Sequence, residues 1–167
     1  MTESKYGKYF STYEAKPEEI ERGRTGIVRI DRGSYEGSNF YWVHWNIPGK
    51  ARAPDLVAVG HPPHIHKYPE ILMLIGTNPD DPTDLGAEVE LQMGADREKH
   101  VMTKSTTVFI PANLIHGPYL IKKTLRPWIF MEINQGPVHT EKFFPQILTE
   151  EERKSVDWSR WKEEGYP

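Results

Sequence analysis

Three histidines and one glutamate have the types and spacing from which chemistry can be read in this chain. In Gly60-His61-Pro62-Pro63-His64-Ile65-His66-Lys67-Tyr68-Pro69-Glu70, His64 and His66 stand two residues apart. Residues at that spacing in an extended strand point to one face, so the two imidazoles project together and Ile65 turns away. Glu70 keeps the same parity, with Lys67-Tyr68-Pro69 bending the chain before the next strand. Pro69 is tolerated there because a turn or a strand's first position spares an amide. Two imidazoles and a carboxylate on one face are part of a site for a divalent transition metal. Imidazole suits zinc, iron, copper or nickel, and a carboxylate extends the range towards manganese. A third imidazole is available from His116, where an apolar strand ends in the turn at Pro111 and the histidine opens the next strand.

Other polar residues carry two readings each. Glu132 lies in the apolar run Trp128-Ile129-Phe130-Met131-Glu132-Ile133, where a buried carboxylate needs a partner. It is either an acceptor for a ligand imidazole or a general base, or it faces solvent between apolar neighbours. Tyr41, with Tyr68 and Tyr119, is a candidate acid or hydrogen-bond donor to a substrate, and aromatic packing is the plainer role. His61 has the wrong parity and precedes two prolines, which places it in a loop or at a pocket rim rather than among the ligands. His44 is expected to line an interior as a hydrogen-bonded core histidine, alongside Trp42 and Asn46. His100 and His139 have no chemical neighbours in sequence and are expected at the surface.

The elements that must position these residues are short strands. Runs at Gly26–Ile30, Asn39–Ile47, Leu56–Val59, Glu70–Ile75, Glu88–Gln92, Thr106–Ile110, Tyr119–Ile121 and Trp128–Ile133 are separated by proline and glycine turns, several with the alternation of a half-buried strand. Such a pattern predicts an antiparallel sandwich or barrel. The acidic stretch 77–86 reads as an exposed loop, and Gly94–Glu98 as a hairpin turn. Helices are expected only at the ends: Lys16–Arg22, with Pro17 in its first turn, and a segment opened by the capping box Thr149-Glu150-Glu151-Glu152. Val156, Trp158 and Trp161 supply its packing face.

At this point the chain resembles the cupin superfamily. Its first motif has two histidines one residue apart, then a glutamate and a glycine, as in His64, His66, Glu70 and Gly76. Its second has a proline and, five residues on, a histidine, as in Pro111 and His116. The departures are Ala58 at the usual distance of the leading glycine, with Gly60 closer, and a Glu70-to-Gly76 spacing one residue short. Ser105 and Asn113 stand for glycines in the second motif, and Leu120 for a frequent asparagine. Asparagine tolerates a left-handed turn, so the geometry at 113 is kept. The resemblance covers about residues 40–135. It implies an all-β fold, the cupin double-stranded β-helix or jelly-roll barrel, with short terminal helices. One domain is expected over 1–167, with a barrel core about 26–135, an N-terminal arm 1–25 and a C-terminal helical tail 147–167. The implied ligands of one divalent metal, iron, manganese, nickel or zinc, are His64, His66, Glu70 and His116.

Composition narrows the partners. The 167 residues include no cysteine, which excludes thiolate ligands, cysteine nucleophiles and disulfides. A net charge of -3 argues against nucleic acid, and no apolar run approaches the roughly 20 residues of a membrane span. A cytoplasmic protein is the default expectation. Two function classes follow. One is a metal-dependent enzyme on a small oxygen-rich or aromatic metabolite, of dioxygenase, isomerase, decarboxylase or lyase type, with Glu132 or a tyrosine such as Tyr41 moving a proton. The other is a non-catalytic binding or sensing module. A cupin barrel with an empty or structural site is the plainest case. Cupins commonly pair, so a homodimer is the expectation by resemblance, with Tyr6, Tyr9, Phe10 and Tyr13 of the arm available to cover an edge or a partner.

Overall fold

A computed structural model describes residues 5–21, 23–49 and 59–166. Its strands form two five-stranded sheets. In the first lie β1 (Arg24–Ile30), β2 (Phe40–Asn46), β4 (Glu70–Gly76), β7 (Thr106–Ile110) and β9 (Trp128–Asn134), in the order β1-β2-β9-β4-β7. In the second lie β3 (His64–Ile65), β5 (Asp84–Met93), β6 (Glu98–Lys104), β8 (His116–Thr124) and β10 (Lys142–Phe143), in the order β10-β3-β8-β5-β6. Every pairing is antiparallel. From β3 onward the chain passes back and forth between the sheets, except at the β5–β6 hairpin. That winding is the jelly roll the motifs led one to expect.

Strand register sorts the interior into rows. On the inner face of the first sheet, Phe40, Asn134 and Glu70 stand side by side, then Trp42, Glu132 and Leu72, then His44, Phe130 and Leu74. The apolar end closes into a core of Leu72, Leu74, Leu85, Val89, Leu91, Ile110, Trp128 and Phe130. The polar rows are thereby left at the other end, where the site lies. Burial of each such side chain contributes about 1.5–3 kcal/mol, which makes the apolar end the anchor of the barrel.

Turn chemistry fixes the connections. Asn113 has a φ of 61°, the left-handed geometry its residue type permits. A Cβ at Gly76 would lie 2.1 Å from the Asp84 carbonyl oxygen, so only glycine fits where β4 leaves the barrel. Ser105 also braces that corner: its hydroxyl accepts from the Gly76 amide at 2.9 Å and donates to the Pro82 carbonyl at 2.8 Å.

Several element boundaries differ from expectation. The acidic loop is shorter, because β5 already begins at Asp84, whose carboxylate accepts from the Gly86 amide and pairs with Arg126. The run at Tyr119–Ile121 is the middle of the longer β8. Of the expected strand Leu56–Val59, only Val59 is described, in a turn, and Ala58 lies outside the described residues. The first helix is α1 (Pro17–Glu21), with Arg22 outside the described residues. The tail helix, α2 (Glu150–Ser155), opens with the full capping box. It stops before Val156 because Asp157 accepts from the Ser159 amide and starts a new 3-10 turn, Trp158–Arg160. Val156, Trp158 and Trp161 still pack together with Val59 and Leu148, but from a turning chain rather than one helix face. No helix among the described residues is long and apolar enough to cross a membrane.

Arg97 ties the tail to the β5–β6 hairpin: its Nη1 and Nη2 donate to both Glu152 oxygens at 2.8 and 2.7 Å. That hydrogen bonding outweighs burial and holds Glu152 down at about 2, so its stabilisation is present above the usual carboxylate range and is lost as pH falls towards 2. Glu152→Ala removes both the cap and this fork, at a cost of about 1–2 kcal/mol. A fall in Tm of about 3–6 °C is expected in thermal unfolding. Glu152→Gln, which keeps a capping-box partner, loses less.

Candidate metal centre

Three chain segments bring the histidines and Glu70 together. His64, at the start of β3, is the direct cross-strand partner of His116, at the start of β8. His66 follows β3, and its carbonyl accepts from the Asn113 amide at 2.9 Å, so the left-handed turn clamps the loop. Glu70 opens β4 in the other sheet, beside Asn134. All four side chains are almost fully enclosed, with relative exposures of 2–3%. One ligand atom each from His64, His66 and His116 can be chosen so that all lie within 4.8 Å of one another.

Backbone carbonyls set the rings' orientation. Nδ1 of His64 faces the Pro62 carbonyl at 2.7 Å, that of His116 the Leu114 carbonyl at 3.0 Å, and that of His66 the Thr140 carbonyl. A carbonyl only accepts, so each Nδ1 carries a proton and Nε2 is the nitrogen that each ring turns to the interior. There, His66 Nε2 lies 3.3 Å from Glu70 Oε1 and His116 Nε2 lies 3.2 Å from Oε2. His116 Nε2 is buried and makes no hydrogen bond of normal geometry. Lone pairs facing one another at this range repel unless a proton or a cation sits among them. Metal bonds of about 2.0–2.2 Å place neighbouring donors about 3 Å apart, which these spacings match. Asn134 Nδ2 donates to Glu70 Oε1 at 2.9 Å and orients the carboxylate. The donor set therefore fits a divalent ion.

Electrostatics without metal follow from burial and proximity. Burial, then the neighbouring imidazoles, hold His64 well below the ordinary histidine value. For His66, burial acts downward, but the hydrogen bond and charge of Glu70 prevail and raise it to about 9. Glu70 is pushed up by burial and pulled below the carboxylate range by His116 and His66. Burial and the charge of Glu70 raise Glu132.

A cavity of about 380 Å³ opens above these residues, walled by Trp42, Phe130, Leu91 and Tyr119 among others. Glu132 faces it, with a side-chain exposure of 14% and His139 Nε2 at 3.6 Å, so the inward reading applies. Tyr41 does not join the site: it pairs with Ile30 and Ile133 and alternates away from the lining residues Phe40, Trp42 and His44. Tyr68 packs across Gly136, where a Cβ would meet its ring. His44 is buried and accepts from Arg24 Nε at 3.3 Å. His100 is exposed beside Glu98. His61 sits at the rim, as its parity suggested.

His139 departs from expectation. It lies in the cavity wall, its ring 5.2 Å from His66 and 5.3 Å from Phe40. The cause is β10, which pairs with β3 and folds residues 139–143 over the site. The same crossing delivers the Thr140 carbonyl and Glu141, neither of which any local sequence pattern marks. Arg24 and Trp161, also in the lining, were equally silent.

The metal-free protein should be most stable near pH 6.5. His66, raised to about 9 from 6.5, contributes stability that is complete below 6.5 and lost as pH rises to 9. His64, lowered, loses its contribution below 6.5 as the unfolded chain takes up a proton. Thermal melts from pH 5.5 to 9.5 after chelation should therefore pass through a maximum. His66→Gln should flatten the alkaline limb, and an unchanged limb would contradict the assignment.

No protein-family model matches the chain, and no curated protein matches it in sequence. Solved structures do match. An oxalate oxidase in complex with the substrate analogue glycolate aligns over 87% of this chain and 68% of its own, with 19% identity and a TM-score of 0.51. A second oxalate oxidase structure, solved to study its mechanism, has the same coverage and identity and a TM-score of 0.50. A sugar phosphate isomerase of the cupin superfamily from Silicibacter pomeroyi covers 80% of this chain and 73% of its own, at 16% identity and a TM-score of 0.43. At such identities the likeness is one of fold. With its two sheets wound as a jelly roll and His64 and His116 at strand starts facing inward, the chain has the cupin jelly-roll fold.

Proposed function

We propose that this cupin-fold protein is a metal-dependent enzyme acting on a small oxygen-rich or aromatic metabolite. His64, His66, Glu70 and His116 hold one divalent ion, of iron, manganese, nickel or zinc. The observation that carries this reading is the convergence of His66 Nε2 and His116 Nε2 on a buried carboxylate at the floor of an open cavity. A bound ion supplies Lewis acidity towards substrate oxygens.

The chain's own residues supply the rest. Trp42, Phe40 and Phe130 form an apolar wall against which a planar substrate can lie. The Arg24 guanidinium stacks 5.0 Å from the Trp42 ring and brings positive charge to that wall, which suits anionic oxygens on the substrate. Glu132 stands one row from Glu70 and Asn134. Its raised affinity for a proton suits it to hold or move one at a substrate carbon or oxygen. This favours reactions that turn on proton transfer, isomerisation or lyase chemistry, within the wider range open to the fold. A homodimer is part of the proposal, supported by Tyr9 and Phe10 on the arm, 62% and 82% exposed.

Elemental analysis of untagged protein is expected to give about one transition-metal ion per chain. His116→Ala should weaken ion binding by about 100-fold or more. If ion content is unchanged after joint replacement of all four residues by alanine, the metal centre is elsewhere or absent. Glu132→Gln should keep its ion while kcat falls by about 10²–10⁴ on whichever candidate substrate turns over. A compound that raises Tm without forming product assigns a binding role instead.

A further inference from the structure

A second cluster of donors stands at the cavity mouth. His61 Nε2 lies 2.6 Å from Glu141 Oε1, and His64 Nε2 lies 3.7 Å from the same oxygen. These two contacts bracket the roughly 3 Å between neighbouring ligands of one ion. Glu141 is 6% exposed as a residue, and neither its Oε1 nor His61 Nε2 makes a hydrogen bond of normal alignment, although both atoms are enclosed. One ligand atom each from His61, His64 and Glu141 lies within 4.8 Å of the others, a donor set in which a cation can take the place of the proton shared by the His61–Glu141 ion pair.

The cluster is held rigidly. His61 is paired by its backbone with Tyr119 in both directions, at 3.1 and 3.0 Å, and Glu141 with Glu164 at 2.8 and 2.9 Å. The His61 ring is sandwiched between His64, at 4.2 Å, and Trp161, at 4.8 Å, nearly parallel to each. Side-chain exposure falls from 33% at His61 to 9% at Glu141 and 4% at His64. The donors thus run from solvent towards the floor, and His64 belongs to both clusters.

We propose that His61, Glu141 and His64 form a second cation site, which captures a divalent transition-metal ion at the mouth and passes it through His64 to the deep centre. The proposal rests on the deep centre being a metal site. Because His64 has one free nitrogen, the chain holds one ion at a time.

The test uses the untagged full chain, stripped of metal and titrated with Co(II), read by visible absorption and elemental analysis. His66→Ala with His116→Ala is expected to retain one weakly bound Co(II), and Glu141→Gln added to that pair to abolish it. In the otherwise native chain, Glu141→Gln should slow Co(II) loading about tenfold at limiting metal, with final ion content unchanged. A folded His66→Ala, His116→Ala chain that takes up no Co(II) overturns the proposal, as does native-rate loading of Glu141→Gln. Should the double variant fail to fold, the loading rate alone decides. If the native chain and the double variant bind Co(II) equally, the deep-centre reading fails and the mouth site stands.

Discussion

The hydrogen bonds from three imidazole Nδ1 atoms to backbone carbonyls are the interaction on which everything else in this protein depends. They come from Pro62, Leu114 and Thr140, on three separate stretches of chain. Each one chooses a tautomer, stops its ring from turning over, and leaves a basic nitrogen aimed inward. The barrel therefore does more than surround the site. Its backbone determines which atoms of the histidines are available for chemistry, and an ion or a proton must answer the resulting concentration of lone pairs around Glu70.

Much of the site was legible because strand parity and turn chemistry are local. His64 and Glu70 followed from period-two spacing, and Asn113 from its tolerance of left-handed backbone. Even here the reason was partly displaced: β3 is only two residues long, so His66 keeps its direction through the Asn113 amide and the Thr140 carbonyl rather than through strand pleat. Tyr41 shows the same rule applied against a candidate. If Trp42, His44 and Asn46 line the interior, the alternating residue between Phe40 and Trp42 cannot.

What sequence did not reveal comes from distant crossings. His139, Thr140 and Glu141 reach the site because β10 pairs with β3, a contact of only two residues that has no periodic signature. Arg24 arrives from the first strand of the barrel and Trp161 from beyond the tail helix. The helix itself was marked by its capping box, yet its end was set by Asp157, whose side chain begins a fresh turn. Short-range rules identify where such devices begin. Which distant segment lies across the barrel mouth depends on packing that no window of residues contains.

The bridge between Glu141 and Glu164, with Trp161 lying on His61, has an evolutionary consequence. Residues at the rim are carried on a strip of chain that crosses the barrel, while those on the floor belong to the ladder itself. Descendants of this fold can therefore exchange rim side chains, and with them the molecules admitted, without rebuilding the strands that hold the floor. Conservatism below and experimentation above would be partitioned by topology.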